Sequence, residues 1–270
     1  MTPLFILDPY DPRIAAFRDV KERDLTGREG LFIAEGEVVL RVLASSASRC
    51  RAVSVLIADK RTEALRPLLE TLPADVPIYA APQEVVDGVA GFHLHRGILA
   101  LGRKPEALSL EVAIQALPER AVVVAACGIG NHDNMGGLFR NAAAFGAGAM
   151  LLDAACCDPF YRKAIRVSVG AVLRTPFVSG VPAAAMVDAL QAGGFEVLAF
   201  TPSASDTLAE LRPPPRTAIL LGSEGPGLPA ELIRRCRPVG IRMSGGFDSL
   251  NVAATSAVAL HHLTTAPVGR

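Results

Sequence analysis

Five runs of consecutive apolar residues dominate the second half of this chain: AVVVAAC (121–127), AMLLD (149–153), EVLAF (196–200), TAILLG (217–222) and PVGIRM (238–243). A strand with one face in water alternates apolar and polar residues. Strands covered on both faces do not alternate, so these runs specify an α/β unit with a mostly parallel sheet flanked by helices. Helices are expected after nearly every strand, at about 135–145, 162–171, 183–192, 229–235 and 249–263.

The first half repeats the alternation on a smaller scale. A charged helical segment opens at Ile14 and ends near Leu25, LFIAEG (31–36) reads as a strand, and EVVLRVLASS (37–46) places Val38, Val39, Val42 and Leu43 at helical spacing. Strand and helix signals then follow in turn through AVSVLIA (52–58), TEALRPLLETL (62–72), VPIYA (76–80), QEVVDGV (83–89) and GILALG (97–102). The stretch 103–119, with Pro105 and Pro118 around a short apolar segment, reads as a connector. The expected organisation is a small α/β domain over 1–104, a linker over 105–119 and a larger domain over 120–270.

Composition narrows the function classes. The longest nearly uninterrupted apolar stretch, 121–130, is half the roughly 20 residues that a membrane helix needs. The amino-terminal residues show no basic leader and no cleavage site, so the expected location is the cytoplasm. Cys50, Cys127, Cys156, Cys157 and Cys236 form no C-x-x-C pair, which fits reduced, mostly buried thiols. His93 with His95, and His261 with His262, lack nearby carboxylate or cysteine partners, and no metal is expected.

The chemistry is concentrated in glycine-rich turns that follow apolar runs, where backbone N–H and C=O groups converge at the carboxyl ends of strands. The first, Gly128-Ile129-Gly130-Asn131-His132-Asp133, fails as a dinucleotide fingerprint because Asp133 occupies the third glycine position. The second, LGSEGPGL (221–228), lacks the lysine of a nucleotide-triphosphate loop and carries Pro226 where a backbone donor is needed. Together, however, NHDNMGGLFRNAAAFG (131–146), LLGSEGPGL (220–228) and IRMSGGFDSLNVAATSAVAL (241–260) resemble, in that order, the three motifs of the SpoU (TrmH-like) RNA ribose methyltransferases. The resemblance covers about 121–263 and includes RKAIRVSVGAV (162–172). A weaker similarity, through FIAEGEVVLRVL (32–43) and His95-Arg96-Gly97, is to the ribosomal-protein-like RNA-binding domain that many members carry in front.

The resemblance implies a deep trefoil knot, an exception to the rule that chains do not thread loops. It also implies S-adenosyl-L-methionine as cofactor, held by Leu221, Gly222, Ile241, Met243 and Leu250, and methyl transfer to a ribose 2′-hydroxyl of structured RNA, ribosomal RNA before transfer RNA. The residues it assigns to the reaction are Arg140, Asn134, Glu224, Ser249 and Asn251. Guanidinium does not deprotonate readily, so Arg140 is expected to bind a phosphate or hydroxyl oxygen as a fixed donor rather than act as the base. Asn134 can cap the following helix and support the site, Glu224 is expected to pair with Asn134 or Arg140, and Ser249 and Asn251 can cap the last helix while lining the reaction site. Many members carry an acidic residue and proline where this chain has Asn131 and His132. Family members are generally homodimers, which would bring Arg140 and Asn134 close to the partner's site.

Net charge alone argues against a nucleic-acid partner, since 27 basic residues balance 27 acidic ones. The balance is not uniform: residues 1–120 carry 15 basic and 17 acidic side chains, residues 121–270 carry 12 and 10. Arginine outnumbers lysine 23 to 4, and its planar fork suits phosphate. Arg162, Lys163 and Arg166, with Arg212, Arg216, Arg234, Arg235, Arg237 and Arg242 around the second and third motifs, are candidates for a phosphate track. In the first domain Arg13, Arg18, Lys21, Arg23 and Arg28 alternate with Asp19, Glu22 and Asp24, a pattern that fits a plain helix surface and an RNA face equally. Two other readings fit the same fold class: an RNA-binding protein without activity, and a nucleotide-dependent oxidoreductase.

Overall fold

The computed structural model describes residues 2–18, 26–27, 29–91, 94, 97–245 and 249–265. The chain divides into two compact units, one of 1–106 with 158–174 and one of 107–157 with 175–270. Segment 158–174 therefore joins the first unit although its sequence lies inside the second half. His93, His95 and Arg96 lie outside the described residues, as does most of the charged segment expected to end near Leu25. The part that is described forms a 3-10 helix over Pro12–Phe17 rather than an α-helix.

The first unit is built on a five-stranded mixed sheet. Its strands are β1 (Leu4–Phe5), β2 (Leu31–Glu35), β3 (Arg51–Ala58), β4 (Ile78–Ala81) and β5 (Ile98–Arg103), in the order β1-β4-β3-β5-β2. β3 runs parallel to β4 and antiparallel to β5. Helices α1 (Glu37–Leu43), α2 (Thr62–Leu69) and α3 (Gln83–Ala90) connect them. The core is apolar on both sides of the central strands: Val55, Leu56 and Ile57 of β3 are fully buried.

The second unit begins with α4 (Leu110–Gln115), inside the stretch read as a connector; it places Leu110, Ala113 and Ile114 in that unit's core. Six strands follow: β6 (Ala121–Ala126), β7 (Ala149–Asp153), β8 (Phe177–Val181), β9 (Glu196–Phe200), β10 (Arg216–Leu221) and β11 (Arg237–Val239). They form one sheet in the order β11-β9-β10-β6-β7-β8, every pair parallel. The intervening helices are α5 (His132–Ala144), α6 (Arg162–Val167, in the first unit), α7 (Ala183–Ala192), α8 (Ala230–Arg235) and α9 (Val252–Thr265). Four of the five continuous apolar runs are thus buried parallel strands, whereas in the fifth, 238–243, only Pro238 and Val239 belong to a strand, the three-residue edge strand β11, and Ile241 and Met243 lie in the loop beyond it. Two strands carry no such signal: β1 has only two residues, and edge strand β8 contains Gly180 and exposed Ser179.

Segment 158–174 is held in the first unit by apolar and polar contacts. Phe160 stacks on Phe32 with centroids 5.1 Å apart, Lys104 pairs with Asp158 at 2.7 Å, and the backbone N–H of Arg49 donates to the carbonyl of Leu173 at 2.8 Å. Gly170, at φ 84°, leaves room for Val42, whose Cβ would lie 3.0 Å from a Cβ added there.

In the second unit α5 and α9 lie against each other. Asn141 donates to the carbonyl of Ala253 at 2.7 Å and to the hydroxyl of Ser256 at 2.8 Å. At Gly137 a Cβ would meet that of Ala253 at 2.6 Å, so the two helices approach more closely than any larger residue allows. Gly137→Ala should destabilise the protein by about 1–3 kcal/mol, read as a lower midpoint of urea unfolding.

Candidate functional site

Parallel pairing sets the site. β6 and β10 are central neighbours in register, Leu221 opposite Ala126, so the loops that leave their carboxyl ends emerge side by side. The β6 loop leads into α5, which starts at Asn131: its side-chain oxygen accepts from the backbone N–H groups of Asp133 (2.7 Å) and Asn134 (3.4 Å). The cap is therefore Asn131, and Asn134 lies one turn further inside the helix. The β10 loop folds back on itself, and Gly222 is the reason it can. A Cβ there would lie 2.4 Å from the Gly227 carbonyl carbon and 2.6 Å from the Leu228 nitrogen.

Three side chains from distant parts of the sequence meet beside these loops. Asn134 donates from Nδ2 to Oε1 of Glu224 at 2.7 Å. Asn251 donates from its own Nδ2 to Oδ1 of Asn134 at 2.9 Å and to Oε1 of Glu224 at 3.2 Å. With its oxygen, Asn251 accepts from the N–H groups of Ala253 (2.9 Å) and Ala254 (3.2 Å), capping α9. The triangle thus links α5, the β10 loop and α9. Asn134 is buried, with 6% of its surface exposed, while Glu224 and Asn251 reach water.

A cleft of about 510 Å³ opens next to the triangle, within the size range of small-molecule and cofactor sites. Its apolar walls come from Leu221, Val239, Ile241, Met243, Leu250 and Val252, and its polar fixtures from Thr201, Ser223, Glu224, Ser249, Asn251 and Thr255. All five residues expected to hold a cofactor line this cleft, as do Glu224, Ser249 and Asn251. Asn134 joins through its hydrogen bonds. Thr201 and Thr255 are additional wall residues beyond those expected: Thr255 lies within the third motif, and Thr201, outside all three, sits just past the end of β9, the strand next to β10. Gly246, Phe247 and Asp248 of the third motif lie outside the described residues.

Arg140 is not in the cleft. It sits six residues after Asn134 on α5, a rotation of about 120° away from it at 3.6 residues per turn. Its side chain is exposed and makes no hydrogen bond or ion pair among the described residues. The arginines around the second and third motifs are mostly engaged elsewhere. Arg216 donates to the carbonyls of Ile114, Leu117 and Pro118 and lies over the ring of Phe195. Arg235 pairs with Asp188, Arg237 with Asp206 and Glu196, and Arg242 approaches Glu210 at 3.8 Å. That part of the expected phosphate track is a salt-bridged surface.

Burial pushes the thiols of Cys127 and Cys156, near the β6 loop, up to about 12, so both are protonated at neutral pH. Among the described residues no group of three or more His, Cys, Asp or Glu is placed to hold a metal ion, and no helix is long and apolar enough to cross a membrane.

Residues 121–261 match the model of the SpoU rRNA Methylase family. An uncharacterized tRNA/rRNA methyltransferase of Mycobacterium tuberculosis is 37% identical over 96% of this chain and 91% of its own. Two solved structures share the fold. A crystal structure of an AdoMet-bound rRNA methyltransferase from Sinorhizobium meliloti aligns with a TM-score of 0.81 at 19% identity, over 96% of this chain and 97% of that one. An RNA 2′-O ribose methyltransferase aligns with a TM-score of 0.77 at 25% identity, over 96% and 98%. With its three loops gathered at the carboxyl ends of one parallel sheet, the chain belongs to the SpoU family of RNA methyltransferases.

Proposed function

We propose that the protein transfers a methyl group from S-adenosyl-L-methionine to a ribose 2′-hydroxyl of RNA, ribosomal RNA before transfer RNA, as a cytoplasmic homodimer whose second unit carries the family's knot and whose first unit contacts the RNA. The observation that carries this reading is the Asn134–Glu224–Asn251 triangle at the edge of the cleft. The cleft fits the cofactor: the folded-back Gly222 loop exposes backbone groups beside Leu221, Ile241, Met243 and Leu250, the mixture of apolar wall and few polar fixings that an adenosine needs. Bound there, the cofactor supplies an electrophilic methyl group.

The chain's own task is to position a weak nucleophile and stabilise the oxygen as its proton leaves. Glu224 has one carboxylate oxygen committed to two amides, which fixes its orientation and leaves Oε2 without a partner among the described residues. Asn134 is locked at both ends of its amide, so it acts as a rigid strut. Ser249, exposed on the cleft wall, is the substrate-side hydroxyl. Arg140 supplies a permanent cation for a phosphate or hydroxyl oxygen, and its exposure, turned away from its own cleft, favours service in the site of a partner subunit.

Tritiated methyl transfer to bulk bacterial RNA tests the activity, and alkaline hydrolysis tests the position. A methylated 2′-oxygen cannot attack the neighbouring phosphate, so the label should appear in alkali-resistant dinucleotides. Label in mononucleotides would indicate base methylation, and stabilisation by NAD but not by S-adenosylhomocysteine would indicate the oxidoreductase. Binding of RNA with no methyl transfer and no cofactor affinity would leave an RNA-binding protein.

Gly222→Ala should abolish the thermal shift given by S-adenosylhomocysteine, because the loop must open to admit the methyl. Arg140→Ala should keep that shift and lose at least about a hundredfold in turnover. Mixed with Asn134→Ala protein, Arg140→Ala should recover part of the activity if Arg140 serves the partner's site; no recovery on mixing would put Arg140 in its own.

A further inference from the structure

Strand β7 is the other parallel neighbour of β6, and their register ends with Leu152 opposite Ala126. Asp153 closes β7 where the register with β8 shifts past Gly180, which sits at φ 78°. Such an irregularity re-aims a side chain at the end of a strand. The half-buried Asp153 carboxylate meets the β6 loop: its Oδ1 accepts from the backbone N–H groups of Gly128 at 2.9 Å and Ala155 at 3.1 Å. Two further bonds fasten the same loop, from the Ile129 N–H to the Cys156 sulfur at 3.4 Å and from the Cys157 N–H to the Ile129 carbonyl at 2.9 Å. The other side of Gly128 is closed by the β10 loop. Gly128 lies at φ 68°, and a Cβ there would be 3.3 Å from that of Ser223, which lines the cleft beside Glu224. Three residues further on, Asn131 caps α5, and Asn134 then bonds Glu224. The β6 loop is therefore held between the end of β7 and the loop that carries Glu224.

We propose that Asp153 is a positioning residue for methyl transfer: by holding the Gly128 N–H it fixes where the β6 loop ends and α5 begins, and so where Asn134 meets Glu224. The role rests on the methyltransferase reading and deepens it. A carboxylate that accepts backbone N–H groups makes the strong, charge-assisted kind of hydrogen bond, so this one acceptor sets the path of the loop. The cleft does not depend on it. The β10 loop folds back on itself through Gly222 and the bond from the Gly227 N–H to the Ser223 carbonyl. Loss of the Asp153 acceptor therefore acts on turnover rather than on cofactor binding, because small displacements of positioned groups cost rate.

Steady-state methyl transfer to bulk bacterial RNA, together with amide hydrogen exchange over residues 127–134, tests the role. Asp153→Ala should lower kcat about tenfold. The KM for S-adenosyl-L-methionine and the S-adenosylhomocysteine thermal shift should stay as in the wild type, and exchange over 127–134 should quicken. Asp153→Asn keeps an acceptor oxygen in the same place and should recover most of the turnover and of the exchange protection. Wild-type kcat in Asp153→Ala overturns the role, as does a failure of Asp153→Asn to recover it. A raised KM or a lost thermal shift in folded Asp153→Ala overturns it too, by assigning the residue to cofactor binding. If Asp153→Ala does not fold, Asp153→Glu, which keeps the charge but moves the oxygens by one bond, decides by the same split of kcat from KM. Exchange needs no methyl acceptor, so it separates the two readings. Unchanged exchange in Asp153→Ala overturns the hold on the loop, whereas a wild type that transfers no methyl group while exchange responds as expected overturns the methyltransferase reading.

Discussion

The pairing of β6 with β10 is the constraint on which the site depends. Six residues of each strand align in parallel register at the centre of the second sheet. Parallel neighbours release their following loops at the same end, and so Asn134 and Glu224, 90 residues apart in the chain, come within 2.7 Å. The third corner, Asn251, arrives with α9, which packs along α5 because Gly137 permits close approach and Asn141 binds the α9 backbone. One amide then performs two tasks, capping α9 with its oxygen and bracing Asn134 and Glu224 with its nitrogen.

Electrostatics in this protein is local. Most arginines near the second and third motifs are neutralised by ion pairs or bound to backbone carbonyls, as Arg216 is to Ile114 of α4 and to Leu117 and Pro118 just past its end. Arg140 stands apart with no partner among the described residues, and Arg162 and Arg166 share one buried carboxylate. An isolated, exposed guanidinium such as that of Arg140 suits a single phosphate better than a long electrostatic track.

Much of the fold was legible because continuous apolar runs and glycine-rich turns report burial directly. Leu221, Gly222, Ile241, Met243 and Leu250 could be picked out by their motifs, and all five line one cleft. Other features left no local signal. Asn131 caps α5 where Asn134 was an equally good candidate, since both are asparagines near a helix start and only the backbone geometry separates them. Thr201 reaches the cleft only because β9 lies beside β10. Glu35 appears in sequence as one more polar residue at a strand end, yet it is almost wholly buried against α6.

The sequence by itself determined a doubly covered parallel sheet, three glycine-rich turns and the family to which they belong, because hydrophobic periodicity and backbone-permissive residues are local properties of the chain. Only the tertiary structure decided which groups face one another: that Asn134, Glu224 and Asn251 form a triangle, that Arg140 points away from its own cleft, and that residues 158–174 leave the second half to pack on the first unit. These follow from strand order and helix packing, which bring together residues separated by up to 117 positions, and no local pattern encodes contacts at that distance.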